Sequence, residues 1–427
     1  MRSILFLLLL SSTLSYSQVI DRYNFVQRPT ETGVTIAWRT SSLSTGTIEW
    51  GTDAFNLSNT LSESGATQKH YFDISGLTPN TKYYYQTTTD GGFTSALDFF
   101  YTAKTDASTK MTFLHYGDCG YNNTVQNDIA ALMIGDSTEF GIVAGDIDQG
   151  VGDDYDGVFF GPYANLVKNA CQYTCIGNHD TYADNAATYL DAFYLPSNNP
   201  QQSERYYSFT WGNGKFICLD ANIDYSIGSI QHNWMLEELQ CNDRQWIFMF
   251  FHQPPWTNAW SADYYLPFSP YFLYQGNEDM RTDLVPYFEQ YNVDFVLNGH
   301  SHCYQRGELN GVKYIISGGA GASTLDFNTN SNSPNIDTEI YANQYVRFNI
   351  EGDTATYVAI DINDDVIDAV TTIKAFTPIR PEISLNNFIL ESTSGNSYMW
   401  FLDGIQITGA SNQTYTPTSN GIYEVAT

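Results

Sequence analysis

The sequence predicts a multi-domain protein with an N-terminal all-β sandwich, a central α/β region of sheets flanked by helices, and a C-terminal β fragment. Three observations predict it. The chain has 427 residues, more than one ordinary domain holds. Its hydrophobic period changes from two to a strand–helix alternation near residue 110 and back again near residue 380. Its 32 Tyr and 26 Phe weight the composition toward β structure.

The first residues read as an export signal. Met1, Arg2 and Ser3 precede the apolar run Ile4–Leu10, and the small residues Ser15 and Ser17 precede Gln18. Cleavage after Ser17 is expected, making 1–17 a signal peptide and the protein secreted, extracellular or periplasmic. No later apolar run reaches the roughly 20 residues that span a bilayer. The 18 basic and 47 acidic residues give a net charge of −29, which disfavours nucleic acid as a structural partner. The six Cys all lie between residues 119 and 303, and their spacing dictates no pairing. Buried thiols or a structural bridge are the readings for them. Nothing in the sequence sets an oligomeric state.

The stretch 19–104 reads as all-β. Val34, Ile36 and Trp38 alternate with smaller or polar residues, as in a half-buried strand, and 47–50 and 82–87 are further strands. The turn from Gly76 through Leu77 and Pro79 to Tyr83 resembles that of fibronectin type III domains, where the Tyr packs back on a corner of the sandwich. Residues 103–110 are polar and aperiodic and read as a linker.

From 110 to 375 strands and helices alternate. Strands are expected at 112–116, 140–144, 173–176, 206–210, 215–219, 246–251 and 294–297. Helices are expected at 124–134 with Asn123 as cap, and at 155–167, 230–239 and 282–291. The runs at 313–317, 345–350 and 354–360 look like a second sheet packed on the first. Pro378 and Pro381 mark another boundary, after which 380–427 resembles a small Ig-like module with a hairpin turn at Asp403–Gly404.

Five of the central apolar runs end on residues able to bind a metal or move a proton. They end on Asp118, on Asp146, on Asn178, His179 and Asp180, on His252, and on His300 and His302. In open α/β sheets the carboxyl ends of strands form the ligand crevice. Carboxylate oxygen and imidazole nitrogen suit hard or borderline divalent ions, and a carboxylate can bridge two of them. Four of the seven His fall in these motifs. His115, inside a strand, and His232, on a helix, read as structural. The acidic loop 152–156 lacks an EF-hand register and reads as solvated, and Gly318–Gly321 reads as a tight turn.

These motifs, with the run from His302 to Arg306 and the later Tyr314–Gly321, resemble the calcineurin-like metallophosphoesterases, in particular the purple acid phosphatase branch. The resemblance implies a phosphate ester substrate and a dinuclear site of iron, zinc or manganese that supplies hydroxide for in-line attack on phosphorus. Asp118 and His302 would hold the first ion, Asp146 would bridge, and Asn178, His252 and His300 would hold the second. His179 would contact the phosphoryl group and protonate or stabilise the leaving oxygen. Asp180 would orient a neighbour. Arg306 is a candidate substrate contact, with a structural ion pair as the alternative.

One departure stands out. Purple phosphatases place a Tyr ligand three residues after the bridging Asp, where this chain has Gln149. Related enzymes use a His two residues after the first Asp, where this chain has Gly120. The first ion is therefore one ligand short, to be met by water, Gln149 or Asp148, and the site is expected to be colourless. A phosphomonoesterase is the first reading. A phosphodiesterase or nucleotide hydrolase on the same site is the second, and a binding protein with a degenerate enzyme core the third.

Overall fold

The computed structural model describes residues 19–149, 154–260, 276–323, 325–328, 333, 335–374, 383–386, 389–392, 398–402, 404–419 and 421–426. The expected signal segment, part of the acidic loop at 152–156, Asp403 and the boundary at Pro378 and Pro381 lie outside them.

Seven N-terminal strands form two sheets. One joins β1 (Ile20–Gln27), β2 (Gly33–Ser44) and β5 (Thr67–Ser75); the other joins β3 (Gly46–Gly51), β4 (Asn59–Ser62), β6 (Lys82–Thr89) and β7 (Asp98–Tyr101). The side chains of β6 alternate between buried and half-buried, the signature of a strand with one face on a core. The expected Tyr packing is present, with the Tyr83 hydroxyl accepting from the Thr78 N–H at 3.0 Å. These sheets dock on the central region through a polar seam. Buried Arg22 bonds Asp156 at 2.5 Å with its guanidinium 3.7 Å over the Phe160 ring, and the Tyr85 hydroxyl reaches the Lys168 carbonyl at 2.7 Å.

The central region holds two larger sheets. The first contains β8 (Lys110–Tyr116), β9 (Phe140–Val143) and β10 (Cys171–Thr174) in parallel register. The second contains β11 (Tyr207–Trp211), β12 (Gly214–Cys218) and β13 (Trp246–Phe250). A short ladder pairs β14 (Ala259–Trp260) with a later strand. Then β15 (Phe295–Asn298), β16 (Tyr304–Leu309) and β17 (Val312–Ser317) extend the second sheet. The partner of β14 is β18 (Phe327–Asn328). The second sheet closes on β19 (Thr338–Ile340), whereas β20 (Gln344–Glu351), β21 (Thr354–Asp361) and β22 (Val366–Ile373) return to the first. The two sheets meet face to face across aromatic rings. Phe113 of β8 lies 5.3 Å from both Phe216 of β12 and Phe248 of β13, at near-perpendicular angles that suit ring quadrupoles.

Helix expectations held unevenly. Asn123 caps Thr124–Gly135, accepting from the Gln126 N–H at 2.8 Å. The helix expected at 155–167 is instead a π-turn, Asp156–Phe160, and a single turn, Ala164–Val167. Pro162 lies between them and has no N–H to continue the ladder. Likewise 282–291 splits into Glu278–Asp283 and Val285–Gln290, because Pro286 sits in the first turn of the second piece. Near the C-terminus, buried Trp400 donates to the Asn412 carbonyl at 2.8 Å. Leu402 pairs with Ile405 across the predicted two-residue turn. Among the described residues no helix is long and apolar enough to cross a membrane.

Candidate metal centre

The parallel strands of both sheets end on the same side, and the singled-out residues follow directly. Asp118 follows β8, Asp146 follows β9, Asn178 follows β10, His252 follows β13, and His300 and His302 follow β15. All six meet in one cluster. His252 Nε2 lies 3.3 Å from Asp146 Oδ2, 3.1 Å from Asn178 Oδ1 and 3.2 Å from His300 Nδ1. The His300 N–H donates to Asp118 Oδ2 at 2.8 Å, and His302 Nε2 is 3.5 Å from Asp118 Oδ1. His179 stands at the rim, 27% exposed, with Nε2 3.9 Å from Asp146 Oδ2.

The backbone is held in unusual shapes to achieve this. Asp118, Asp146 and His300 have φ of 55°, 50° and 69°, in the left-handed region that non-glycine residues rarely occupy. Gly177 must be glycine, since a Cβ there would come within 2.0 Å of Asp146 Oδ1. Asp180 organises the loops beneath, outside the cluster itself. Its buried carboxylate accepts from the Gly177 N–H at 2.8 Å, the Asp148 N–H at 2.9 Å and the Tyr155 hydroxyl at 3.0 Å.

The donor set fits divalent cations. Asp146, His252 and His300 offer ligand atoms within 4.8 Å of one another. Asp118 is fully buried and its Oδ1 has no hydrogen-bond partner, a costly state for a carboxylate unless a cation offsets it. His252 donates Nδ1–H to the Ala144 carbonyl at 2.7 Å, so Nε2 faces the cluster. Burial works to lower its pKa, but Asp146 beside Nε2 overcomes this and raises it to about 9, so Nε2 must give up a proton to bind a cation. Burial works to raise the Asp146 carboxyl, but His252, 3.3 Å away, overcomes it and holds the group below the usual carboxylate range. Burial lowers His300 to about 3, keeping its ring neutral and able to ligate. The neighbouring thiols are poor thiolates, because burial drives Cys119 and Cys303 well above their usual range. The six Cys are all free, and only Cys241 is exposed. Nitrogen and oxygen donors without thiolate suit zinc, manganese or iron.

Three expectations come out differently or gain a cause. Arg306 is engaged in an ion pair, its Nε 2.5 Å from Asp368 Oδ2, with the Tyr304 hydroxyl on the same carboxylate at 2.8 Å; the structural alternative describes it. Gln149 Nε2 donates to the Asp146 carbonyl at 3.2 Å, and its own carbonyl lies 3.3 Å from His179 Nδ1. The Gln149 backbone thus orients His179. No side chain can stand at Gly120, where a Cβ would lie 1.9 Å from the Ile147 carbonyl oxygen. Sequence reasoning missed Tyr182 and Asp326. Tyr182 accepts from Asn178 Nδ2 at 2.9 Å and packs its ring 4.7 Å from that of His179. Asp326 accepts the His302 N–H at 2.9 Å. Tyr182 follows the His179 motif closely enough to be noticed, whereas Asp326 ends no apolar run and gives no local signal.

Comparison with known proteins agrees with this architecture. Residues 111–304 match the calcineurin-like phosphoesterase family. Purple acid phosphatase 23 of Arabidopsis thaliana is 33% identical over 138 residues, 30% of this chain and 28% of that protein. The Fe(3+)-Zn(2+) purple acid phosphatase 12 of the same plant is 23% identical over 270 residues, 58% of this chain and 55% of that protein. The chain thus spans about half or less of the length of these relatives. A purple acid phosphatase from yellow lupin (Lupinus luteus) seeds shares the fold, with a TM-score of 0.68 at 17% identity over 83% of this chain and 74% of that one. Residues 111–304 are a calcineurin-like phosphoesterase domain with purple acid phosphatases among its relatives.

Proposed function

We propose that this chain is a secreted, metal-dependent phosphoric ester hydrolase, acting first on phosphomonoesters, with a dinuclear site. The single observation that carries the reading is the meeting of Asp118, Asp146, Asn178, His252, His300 and His302 in one cluster beside His179. We assign Asp118 and His302 to the first cation, Asn178, His252 and His300 to the second, and Asp146 to both. Iron with zinc, as named for one relative, or manganese are the candidate pairs. Two such ions would supply positive charge for the phosphoryl oxygens and an activated water.

The chain's own residues do the rest. The Gln149 carbonyl takes His179 Nδ1–H, so a leaving oxygen would take its proton from Nε2 of the doubly protonated ring, which returns to the neutral Nδ1–H form. Asp180 fixes the loops that bear Asp146 and Asn178. Domain boundaries at 19–104, 110–375 and 380–427 belong to the same proposal, with the Tyr83 bond supporting a fibronectin type III-like first unit and buried Trp400 an Ig-like last one.

Assays with p-nitrophenyl phosphate and its bis-ester on zinc-, manganese- and iron-loaded protein test the function. Hydrolysis of the monoester, abolished by chelation and reduced about 100-fold or more by His179→Ala, is the expected result. Preference for the bis-ester would make it a diesterase. No hydrolysis with any ion would leave a binding protein with a degenerate core.

A further inference from the structure

Asp326 lies 24 residues beyond His302, outside every motif at the strand ends. It is nonetheless built onto that histidine. One carboxylate oxygen accepts the His302 N–H at 2.9 Å, and the Asp326 N–H returns a bond to the His302 carbonyl at 3.1 Å. The other oxygen lies 4.0 Å from His302 Nδ1, the range of a charge contact, while Nε2 on the far side of the ring is 3.5 Å from Asp118 Oδ1. Tyr121 packs edge-on against the same ring at 6.2 Å. Asp326 is 2% exposed, and a carboxylate so placed is costly unless something nearby needs its charge. The ladder that follows it, with Trp260 opposite Phe327 and Ala259 opposite Asn328, ties this segment to the chain just past His252.

We propose that Asp326 is the positioning residue of the first cation site. It holds the His302 ring with Nδ1–H toward its carboxylate, so that the Nε2 lone pair is presented beside Asp118. This deepens the dinuclear reading above and rests on it. A neutral imidazole carries one N–H, and the partner of one nitrogen decides which lone pair is free. The demand is unusually strong here. Position 120 has no room for a side chain and position 149 is Gln, so the first cation depends on Asp118, Asp146 and His302. A misoriented His302 would remove one of three protein ligands.

The test compares wild type, Asp326→Asn, Asp326→Ala and His302→Ala after chelation, titrated calorimetrically with Zn²⁺. Asparagine keeps an acceptor for the His302 N–H and removes the charge facing Nδ1. Two sites are expected in the wild type. Asp326→Asn should weaken one of them about 10- to 100-fold, the same site that His302→Ala abolishes, and leave the other unchanged. Nitrogen-15 spectra of the zinc-loaded wild type should show His302 protonated on Nδ1 and bound through Nε2, and the Nδ1 signal should shift in the asparagine variant. Wild-type affinity at both sites in Asp326→Asn would overturn the positioning role and leave the dinuclear reading standing. A wild type that binds no divalent ion would overturn both. If neither Asp326 variant folds, the spectrum of the zinc-loaded wild type decides, and a His302 bound through Nδ1 overturns the proposal.

Discussion

Asn178 Nδ2 donates to the Tyr182 hydroxyl at 2.9 Å, and this bond turns Asn178 Oδ1 toward His252 Nε2, 3.1 Å away. An amide presents either an oxygen or an NH₂ to a cation, and only the oxygen binds one. Tyr182→Phe keeps the ring beside His179 but frees the amide to flip. Loss of one hydrogen bond of about 1 kcal/mol should weaken one of two cation sites roughly fivefold. Calorimetric titration with Zn²⁺ reads this directly. Unchanged affinity at both sites would show that Tyr182 does not set the amide.

His115 predicts an acid-sensitive fold. It lies on β8, fully buried, and burial lowers its pKa to about 3. The unfolded chain takes up a proton near pH ~6.5 and the folded one does not. The unfolded state therefore binds more protons between these values, so the contribution is complete above pH ~6.5 and is lost as pH falls toward ~3, at roughly 1.4 kcal/mol per unit. Urea midpoints of chelated protein should fall further for wild type than for His115→Phe as pH drops from neutral toward ~4. A difference independent of pH would mean that His115 is already charged in the fold.

The six residues of the cluster were legible because each ends an apolar run, where a carboxylate, amide or imidazole is conspicuous. The two-sheet core was legible for the same reason, since Phe113, Phe216 and Phe248 sit in runs of strand length. What was not legible depends on partners far along the chain. For Arg306 the choice between substrate contact and structural ion pair needs Asp368 on β22, 62 residues away. Asp180 reads as an orienting residue, but the groups it orients, Gly177, Asp148 and Tyr155, are found only in the fold. The positive φ of Asp118, Asp146 and His300 is invisible in residue types that normally avoid it. The broken helices were a misreading of signals present in the sequence, Pro162 and Pro286.

The Arg306–Asp368 pair should matter for stability and leave substrate binding alone. Breaking a half-buried, charge-assisted bond costs about 1.5–3 kcal/mol. Arg306→Ala should lower the unfolding free energy by that order with KM for p-nitrophenyl phosphate unchanged, and a double-mutant cycle with Asp368→Ala should recover most of the loss as coupling. A rise in KM without loss of stability would return Arg306 to the substrate.

Gln149 and Gly120 make opposite predictions about repairing the first cation site. Gln149 is half-buried with its side-chain amide 3.2 Å from the Asp146 carbonyl, so a side chain at 149 stands next to the cluster. Gly120 is closed by the Ile147 carbonyl, only 1.9 Å from where a Cβ would stand. Wild type loaded with iron should therefore show no tyrosinate-to-iron band in the visible spectrum. Gln149→Tyr should fold and acquire one. Gly120→His should instead lose stability by several kcal/mol, since backbone must move to admit it. A visible band in the iron-loaded wild type would mean that another tyrosine already fills the vacant ligand position. A well-folded Gly120→His would mean that the Ile147 loop yields, and that the shortage of ligands at the first cation is not fixed by the backbone.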